Sequence, residues 1–89
     1  MRVIEDLIVR EIAGEHFLIP TGNAALRIHG MLGLSESGYL MWNKLQSECE
    51  VEELVEAILA EYDVERETAS EDVRSFLEKM ERIGILVRD

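Results

Sequence analysis

The chain of 89 residues is long enough for one domain, which we expect to span residues 1–89, and too short for a second. Its hydrophobic content of 47% and charged content of 31% are typical of a globular protein and exclude intrinsic disorder. The net charge of −10 disfavours binding to nucleic acid and to anionic membrane, because both carry negative charge. Neutral or basic polypeptides are the partners that this charge favours.

The amino-terminal segment and the cysteine content indicate where the protein resides. Residues Met1–Asp6 include two acidic side chains, where a secretory signal would carry an apolar stretch. Cys49 is the only cysteine of the sequence, which excludes an internal disulfide and a cysteine-pair zinc site. We therefore expect a cytoplasmic protein with no bound metal.

Three short strands are predicted in the first third of the chain. Asp6–Ile12 is rich in strand-forming residues, a turn follows around Gly14, and His16–Pro20 resumes the extended pattern. After a second turn, Leu26–His29 alternates apolar with polar side chains, as a strand with one buried face does. These segments predict a three-stranded antiparallel β-meander.

Three amphipathic helices are predicted in the remainder. Ser35 precedes Glu36–Gln46 and can cap that segment by accepting a hydrogen bond from a first-turn amide. Val51–Tyr62 carries apolar residues at i, i+3, i+4 and i+7, with glutamates on the opposite face. A third apolar stripe extends over Ala69–Ile83, and Gly84 follows it as a carboxyl cap.

Trp42 is predicted to belong to the core, because Tyr39 and Leu45 lie on the same helical stripe. The extended tail Ile85–Val87 is expected to dock against that core. The predicted fold is therefore α+β and winged-helix-like, with a three-stranded antiparallel β-meander followed by three α-helices.

The sequence contains no arrangement typical of catalysis. His16 and His29 lie in different predicted strands without a fixed acidic partner. Ser35 lacks the Gly-x-Ser-x-Gly setting of a nucleophile elbow. Cys49 stands between two glutamates, whose charges raise the pKa of a thiol and so lower its reactivity. We predict a protein that is not an enzyme and that holds no cofactor.

Two binding functions fit a small sheet followed by three helices. A winged-helix domain would insert its recognition helix into the DNA major groove. However, the candidate helix Glu65–Ile83 carries six acidic and four basic residues, which suits phosphate contacts poorly. Alternatively, a free edge of the sheet accepts an extended peptide as an additional strand.

Leu34–Trp42, with the sequence LSESGYLMW, resembles the Leu-Asn-x-Thr-Gly-x-x-Ile-Trp signature of the PqqD family of pyrroloquinoline quinone biosynthesis. The chain departs from this pattern at Ser35 and Ser37, where Asn and Thr are usual, and at Cys49–Glu50, where a Thr caps the second helix. The similarity continues in order and spacing through later segments: Val51–Val55, Glu61–Val64, Glu71–Val73, Phe76–Leu77 and Gly84–Leu86.

Membership of this family would imply a recognition element of a system that modifies ribosomally made peptides. The leader part of a precursor peptide would be added as a strand beside the third strand, in a cleft against the third helix. The module would act as a peptide chaperone in natural-product biosynthesis. It would present the peptide to a modifying enzyme, often a radical S-adenosylmethionine (SAM) enzyme, and would perform no chemistry itself.

The resemblance also implies where the peptide binds. Carried over by position, the third strand is Ala24–His29, and the third helix extends from about Glu67 to Ile83. The main chain of the strand would supply hydrogen bonds, and the helix side chains would select the sequence. The apolar helix residues of this site are equally well explained as core. The predicted peptide-binding residues are Ala25, Leu26, Arg27, Ile28, His29, Asp72, Val73, Phe76, Lys79 and Met80.

A DNA-binding assay separates the two functions. We expect no retention of duplex DNA at about 50 mM salt, because the acidic surface repels the phosphate backbone. A gel-shift or fluorescence titration measures this directly. Tight, sequence-dependent binding that weakens steeply as salt rises would favour the winged-helix regulator.

Overall fold

The computed structural model describes residues 1–88 and has an α+β fold. A three-stranded antiparallel sheet is followed by three helices, as predicted, and a separate two-stranded sheet joins the two ends of the chain. The elements in chain order are β1 (Arg2–Val3), β2 (Leu7–Ile12), β3 (Glu15–Pro20), a 3₁₀ helix (Gly22–Leu26), β4 (Leu32–Leu34), α1 (Glu36–Lys44), α2 (Val51–Glu61), α3 (Arg66–Ile83) and β5 (Leu86–Val87).

Strands β2 and β3 form the predicted hairpin. The register pairs Leu7 with Pro20 at the open end and Ile12 with Glu15 at the turn. Because paired residues share a face of the sheet, Val9 and Leu18 both point toward the helices, where Leu18 is fully buried. The alternation of side chains in β2 therefore divides the sheet into an inner and an outer face.

The predicted third strand is wrong. The segment Ala24–His29 forms the end of the 3₁₀ helix and the turn after it, and the strand that pairs with β3 is β4. The Ile28 amide donates a hydrogen bond to the Ala24 carbonyl at 2.8 Å. Asp6 anchors the preceding turn, since its carbonyl accepts from the Thr21 amide at 2.8 Å. The hydrogen bond within the segment and the anchor at Asp6 thus hold it in a turn outside the sheet.

The helices agree with the predicted segments to within two residues, and their caps explain where they begin and end. The Ser35 hydroxyl accepts a hydrogen bond from the Gly38 amide at 3.0 Å, as expected for an N-cap. The Glu50 amide donates to Glu53 Oε1 at 3.4 Å at the start of α2. Gly84 ends α3 with φ of 91°, a left-handed conformation that glycine adopts without steric cost.

The carboxyl-terminal tail docks on the core, as predicted. Its pairing with the amino-terminal strand is a contact that the sequence did not indicate. Strand β5 pairs with β1, with Arg2 opposite Val87 and Val3 opposite Leu86. The preceding Ile85 is 1% exposed, and its amide donates to the Met80 carbonyl at 2.9 Å. The two ends of the described chain are therefore held together on the same core.

One hydrophobic core joins the sheet, the three helices and the terminal strands. No helix in the described residues is both long and apolar enough to cross a membrane. Trp42 is 3% exposed and belongs to the core, which confirms its predicted position. The main members of the core are Leu18, Met41, Trp42, Leu45, Leu54, Val55, Ile58, Ala69, Val73, Leu77, Met80 and Ile85.

Replacing Trp42 with alanine should lower the free energy of unfolding by about 3–5 kcal/mol, because it leaves a large cavity in the core. The net stability of a domain this size is only about 4–13 kcal/mol. Urea unfolding followed by circular dichroism measures the change. Leu26→Ala is the control, since Leu26 is 77% exposed and should change the stability by about 0.5 kcal/mol at most. A Trp42→Ala protein with wild-type stability would contradict this packing.

Candidate functional site

Strand β4 forms one edge of the three-stranded sheet. It pairs with β3 through Leu18–Leu32, Phe17–Gly33 and His16–Leu34, and no strand in residues 1–88 pairs with its other side. Each residue of an extended strand carries one amide donor and one carbonyl acceptor. The outward-facing groups of β4 are therefore free to pair with another strand.

One row of residues on α3 lies at or outside the margin of the core. Asp72, Phe76, Lys79 and Ile83 are spaced at i, i+4, i+7 and i+11, which places them in one row along the helix. Asp72 and Lys79 are exposed, whereas Phe76 and Ile83 are half-buried at the margin of the core. We call these four residues the α3 row. Charged and apolar side chains alternate along it.

The two ends of the α3 row meet the two ends of β4. Ile83 and Leu32 line the same small pocket of about 140 Å³. At the other end, Asp72 lines a shallow depression of about 360 Å³ together with Ser35. Ser35 is the residue that directly follows β4. Between them, a Cβ atom added at Gly38 would lie 3.4 Å from Phe76 Cε1. Gly38 therefore lets α1 approach the Phe76 ring closely. We refer to the surface between these two pockets, from β4 to the α3 row, as the cleft.

The structure separates the predicted helix residues into two groups. Asp72, Phe76 and Lys79 belong to the α3 row, and Asp72 lines the depression at the Ser35 end. Val73 and Met80 are 0% exposed and lie in the core. Direct contact between a peptide and these two side chains would require the core to open, so the structure favours their interpretation as core.

The predicted strand residues lie beside the cleft instead of along its edge. Ile28 and His29 line the pocket that also contains Leu32 and Ile83. Ala25 lines a neighbouring depression with Ile28 and His29. The exposed Leu26 and Arg27 line neither of these pockets. The loop therefore reaches the start of β4 with its side chains, while its main chain makes turn contacts.

The sequence contains a short signal for the strand β4, which our sequence-based prediction of the third strand did not include. Met31–Leu34 is apolar except for Gly33, but glycines such as Gly30 and Gly33 are more typical of turns than of strands. In the structure, Leu32 and Leu34 both pack against the core and Gly33 lies between them. That is the alternation of a half-buried strand, and it lasts for only three residues.

Acidic groups dominate the depression at the Ser35 end of the cleft. Glu36, Tyr62 and Asp72 are among the residues that line it. Burial raises the pKa of the Tyr62 hydroxyl, and the charges of Glu36 and Glu61 raise it further. These residues make this end of the cleft attractive to a cationic side chain.

The titratable groups that could support catalysis are not assembled. His16 stacks on Tyr39 with a centroid distance of 3.7 Å, and its Nε2 lies 3.5 Å from the exposed Glu11 carboxylate. Cys49 is buried, and burial together with the charge of Glu53 raises the pKa of its thiol. No cluster of His, Cys, Asp and Glu suited to a metal ion occurs in the described part of the chain.

Comparisons with known proteins agree with this architecture. A structure described as TbiB1 in complex with the TbiA(beta) leader peptide matches with a TM-score of 0.76 and 28% sequence identity, covering 100% of both chains. Lasso peptide synthetase B1 complexed with the leader peptide matches with a TM-score of 0.75 and 16% identity, over 98% of this chain and 96% of that one. The second similarity supports the fold alone.

No curated protein matches the chain at a significant level. The family model of coenzyme PQQ synthesis protein D matches residues 15–86, which include β3, β4 and all three helices. This range contains the signature segment and the later segments that carried the sequence resemblance. The chain belongs to the PqqD family.

Proposed function

We propose that this chain is a non-catalytic peptide-binding module, a peptide chaperone that receives the leader of a ribosomally made precursor peptide. The leader is added as a strand along the free edge of β4 and lies in the cleft against the α3 row. The observation that carries this proposal is the unpaired edge of β4 beside that row. The module then presents the peptide to a modifying enzyme, and a radical SAM enzyme is the partner that the family suggests.

The free edge of β4 suits a peptide better than the other edge of the sheet does. Strand β2 also lacks a second partner within residues 1–88. However, the α3 row reaches β4 at both of its ends, through Ile83 at one end and Asp72 at the other. A strand added to β4 gains main-chain hydrogen bonds from the edge and side-chain contacts from the helix, which is how strand addition combines affinity with selectivity.

The inward side chains of the added strand would contact the apolar centre of the cleft. Phe76 offers a half-buried ring there, and Leu32 and Leu34 offer the inner face of β4. Ile28 and His29 would contribute side chains to the pocket at the start of the strand. The 3₁₀ segment would thus retain a role in binding the peptide, although it donates no strand hydrogen bonds.

The charge of the site favours a leader with a basic residue near its Asp72 end. Asp72 and Glu36 line the same depression, and no Lys or Arg in the described chain is among its lining residues. An exposed ion pair of this kind contributes only about 0–1 kcal/mol. The charges would therefore orient the leader, whereas the main chain and Phe76 would supply most of the affinity.

Titration with a leader peptide followed by amide chemical shifts tests where the peptide binds. The probe is a synthetic leader peptide, taken from the short precursor gene that this proposal expects beside the gene for this chain. We expect the largest shifts at Leu32–Leu34 and along the α3 row, because hydrogen bonds form at that edge. Shifts confined to α2 would place the site elsewhere. No binding to this peptide at about 100 µM would contradict the function itself.

A charge substitution tests the orientation of the leader. Asp72→Asn should weaken binding of a basic leader by up to about fivefold, and the loss should shrink as salt rises. Glu71→Gln is the matched control, because Glu71 is an exposed acid on the same helix but lies about 100° away around it. Isothermal titration calorimetry at two salt concentrations measures both variants. Equal losses for the two would show that only overall charge matters.

A further inference from the structure

The outer face of the three-stranded sheet is unusually apolar. The register places Ile8 opposite Ile19, Arg10 opposite Phe17 and Ile12 opposite Glu15, all turned away from the helices. None of the apolar side chains on this face packs against the core. An antiparallel sheet that covers a core on one side usually carries polar residues on the other. The outer face therefore has the composition of a contact surface.

Gly33 continues this face onto β4, directly opposite Phe17. The backbone of Gly33 does not have a positive φ. A Cβ atom added there would lie 3.7 Å from Phe17 Cε1, which is ordinary van der Waals contact. Neither the conformation nor the packing of the isolated domain requires glycine, and glycine weakens a strand relative to residues with a side chain.

The missing side chain leaves the Phe17 ring open toward the free edge. Phe17 is half-buried, and one edge of its ring lies over Gly33, with Cδ1 and Cε1 within 3.9 Å of the added Cβ position. A strand added to β4 lies about 4.8 Å farther out. Its residue opposite Gly33 would point its side chain to the same outer face. No side chain of β4 would then separate that residue from the ring.

We propose that Phe17 and Gly33 form a subsite for one large apolar side chain of the leader, preferably an aromatic one. The subsite rests on the proposed function. It specifies one leader position, which is the residue paired with Gly33, and it specifies that the side chain there is large and apolar. The aromatic preference follows from the ring of Phe17, since offset or edge-to-face ring pairs are favourable beyond their buried area.

The occupant is the leader and not a second copy of this chain. Gly33 lies on the strand whose free edge receives the leader, so the subsite is continuous with the peptide site. A second copy packed face to face about a two-fold axis would bring the same surface of both copies together. That arrangement would take the charged side chains of Arg10 and Glu15 of both copies out of water, and their desolvation would offset much of the apolar gain.

The test changes Gly33 without harming the fold. Gly33→Val should keep or raise the melting temperature, because a β-branched residue suits a strand. It should also weaken binding of the synthetic leader about tenfold, because its side chain fills the subsite. Ile12→Thr is the control, since Ile12 is 45% exposed on the same face but lies on β2, far from the added strand. Fluorescence anisotropy with a labelled leader measures all three proteins.

An alanine scan of the leader identifies the residue that occupies the subsite. We expect one apolar leader residue whose replacement weakens binding to the wild-type protein about tenfold but has little further effect on Gly33→Val or Phe17→Ala. Additive losses, or a stable Gly33→Val protein with wild-type affinity, would overturn the subsite while leaving the proposed function intact. If the protein forms a dimer, and Ile12→Thr dissociates that dimer without changing leader affinity, this result would also overturn the subsite. The outer face would then be assigned to self-association. No leader binding by the wild-type protein would instead contradict the function.

Discussion

Burial of one stripe of α3 is the interaction on which the rest of the structure depends. Ala69, Val73, Leu77 and Met80 are each at most 2% exposed, and they lie between α2, the sheet and the carboxyl-terminal strand. Burying one large apolar side chain stabilises a fold by about 1.5–3 kcal/mol. The three larger residues of this stripe together therefore contribute as much as the net stability of a domain of this size. Rotation of α3 about its own axis would expose them, so the helix is fixed in one orientation.

That orientation also sets the position of the α3 row. Adjacent residues of a helix differ by about 100° around its axis, so the burial of Val73 turns Asp72 to the margin of the core. The same geometry places Phe76 and Lys79 in one row with Asp72. The cleft needs no separate structural support, because the packing that stabilises the domain also aligns the helix with the strand. A core substitution that rotates α3 would disturb both stability and peptide binding.

Local signals in the sequence determined the elements whose ends depend on near neighbours. Ser35 caps α1 through a hydrogen bond three residues away, and Gly84 ends α3 in a left-handed conformation. The periodicity of Val51–Glu61 predicted α2, because an amphipathic helix must bury one face. The family signature, which includes Trp42, agreed with the observed fold class, whereas the third strand carried over with it was wrong. Helical spacing also places Asp72, Phe76 and Lys79 in one row of α3, and their contact with a peptide stays a prediction.

The tertiary structure decided the identity of the third strand. Leu26–His29 and Leu32–Leu34 both alternate in a way that suits a half-buried strand, and local propensity does not distinguish between them. The choice depends on long-range contacts: β4 pairs with β3, while Asp6 holds the turn that starts at Thr21. The sequence also did not predict the pairing of Arg2–Val3 with Leu86–Val87, because these two segments lie far apart along the chain. Strand pairing joins distant residues, so the sequence determined which faces were apolar, and only the folded chain determined which edge remained free.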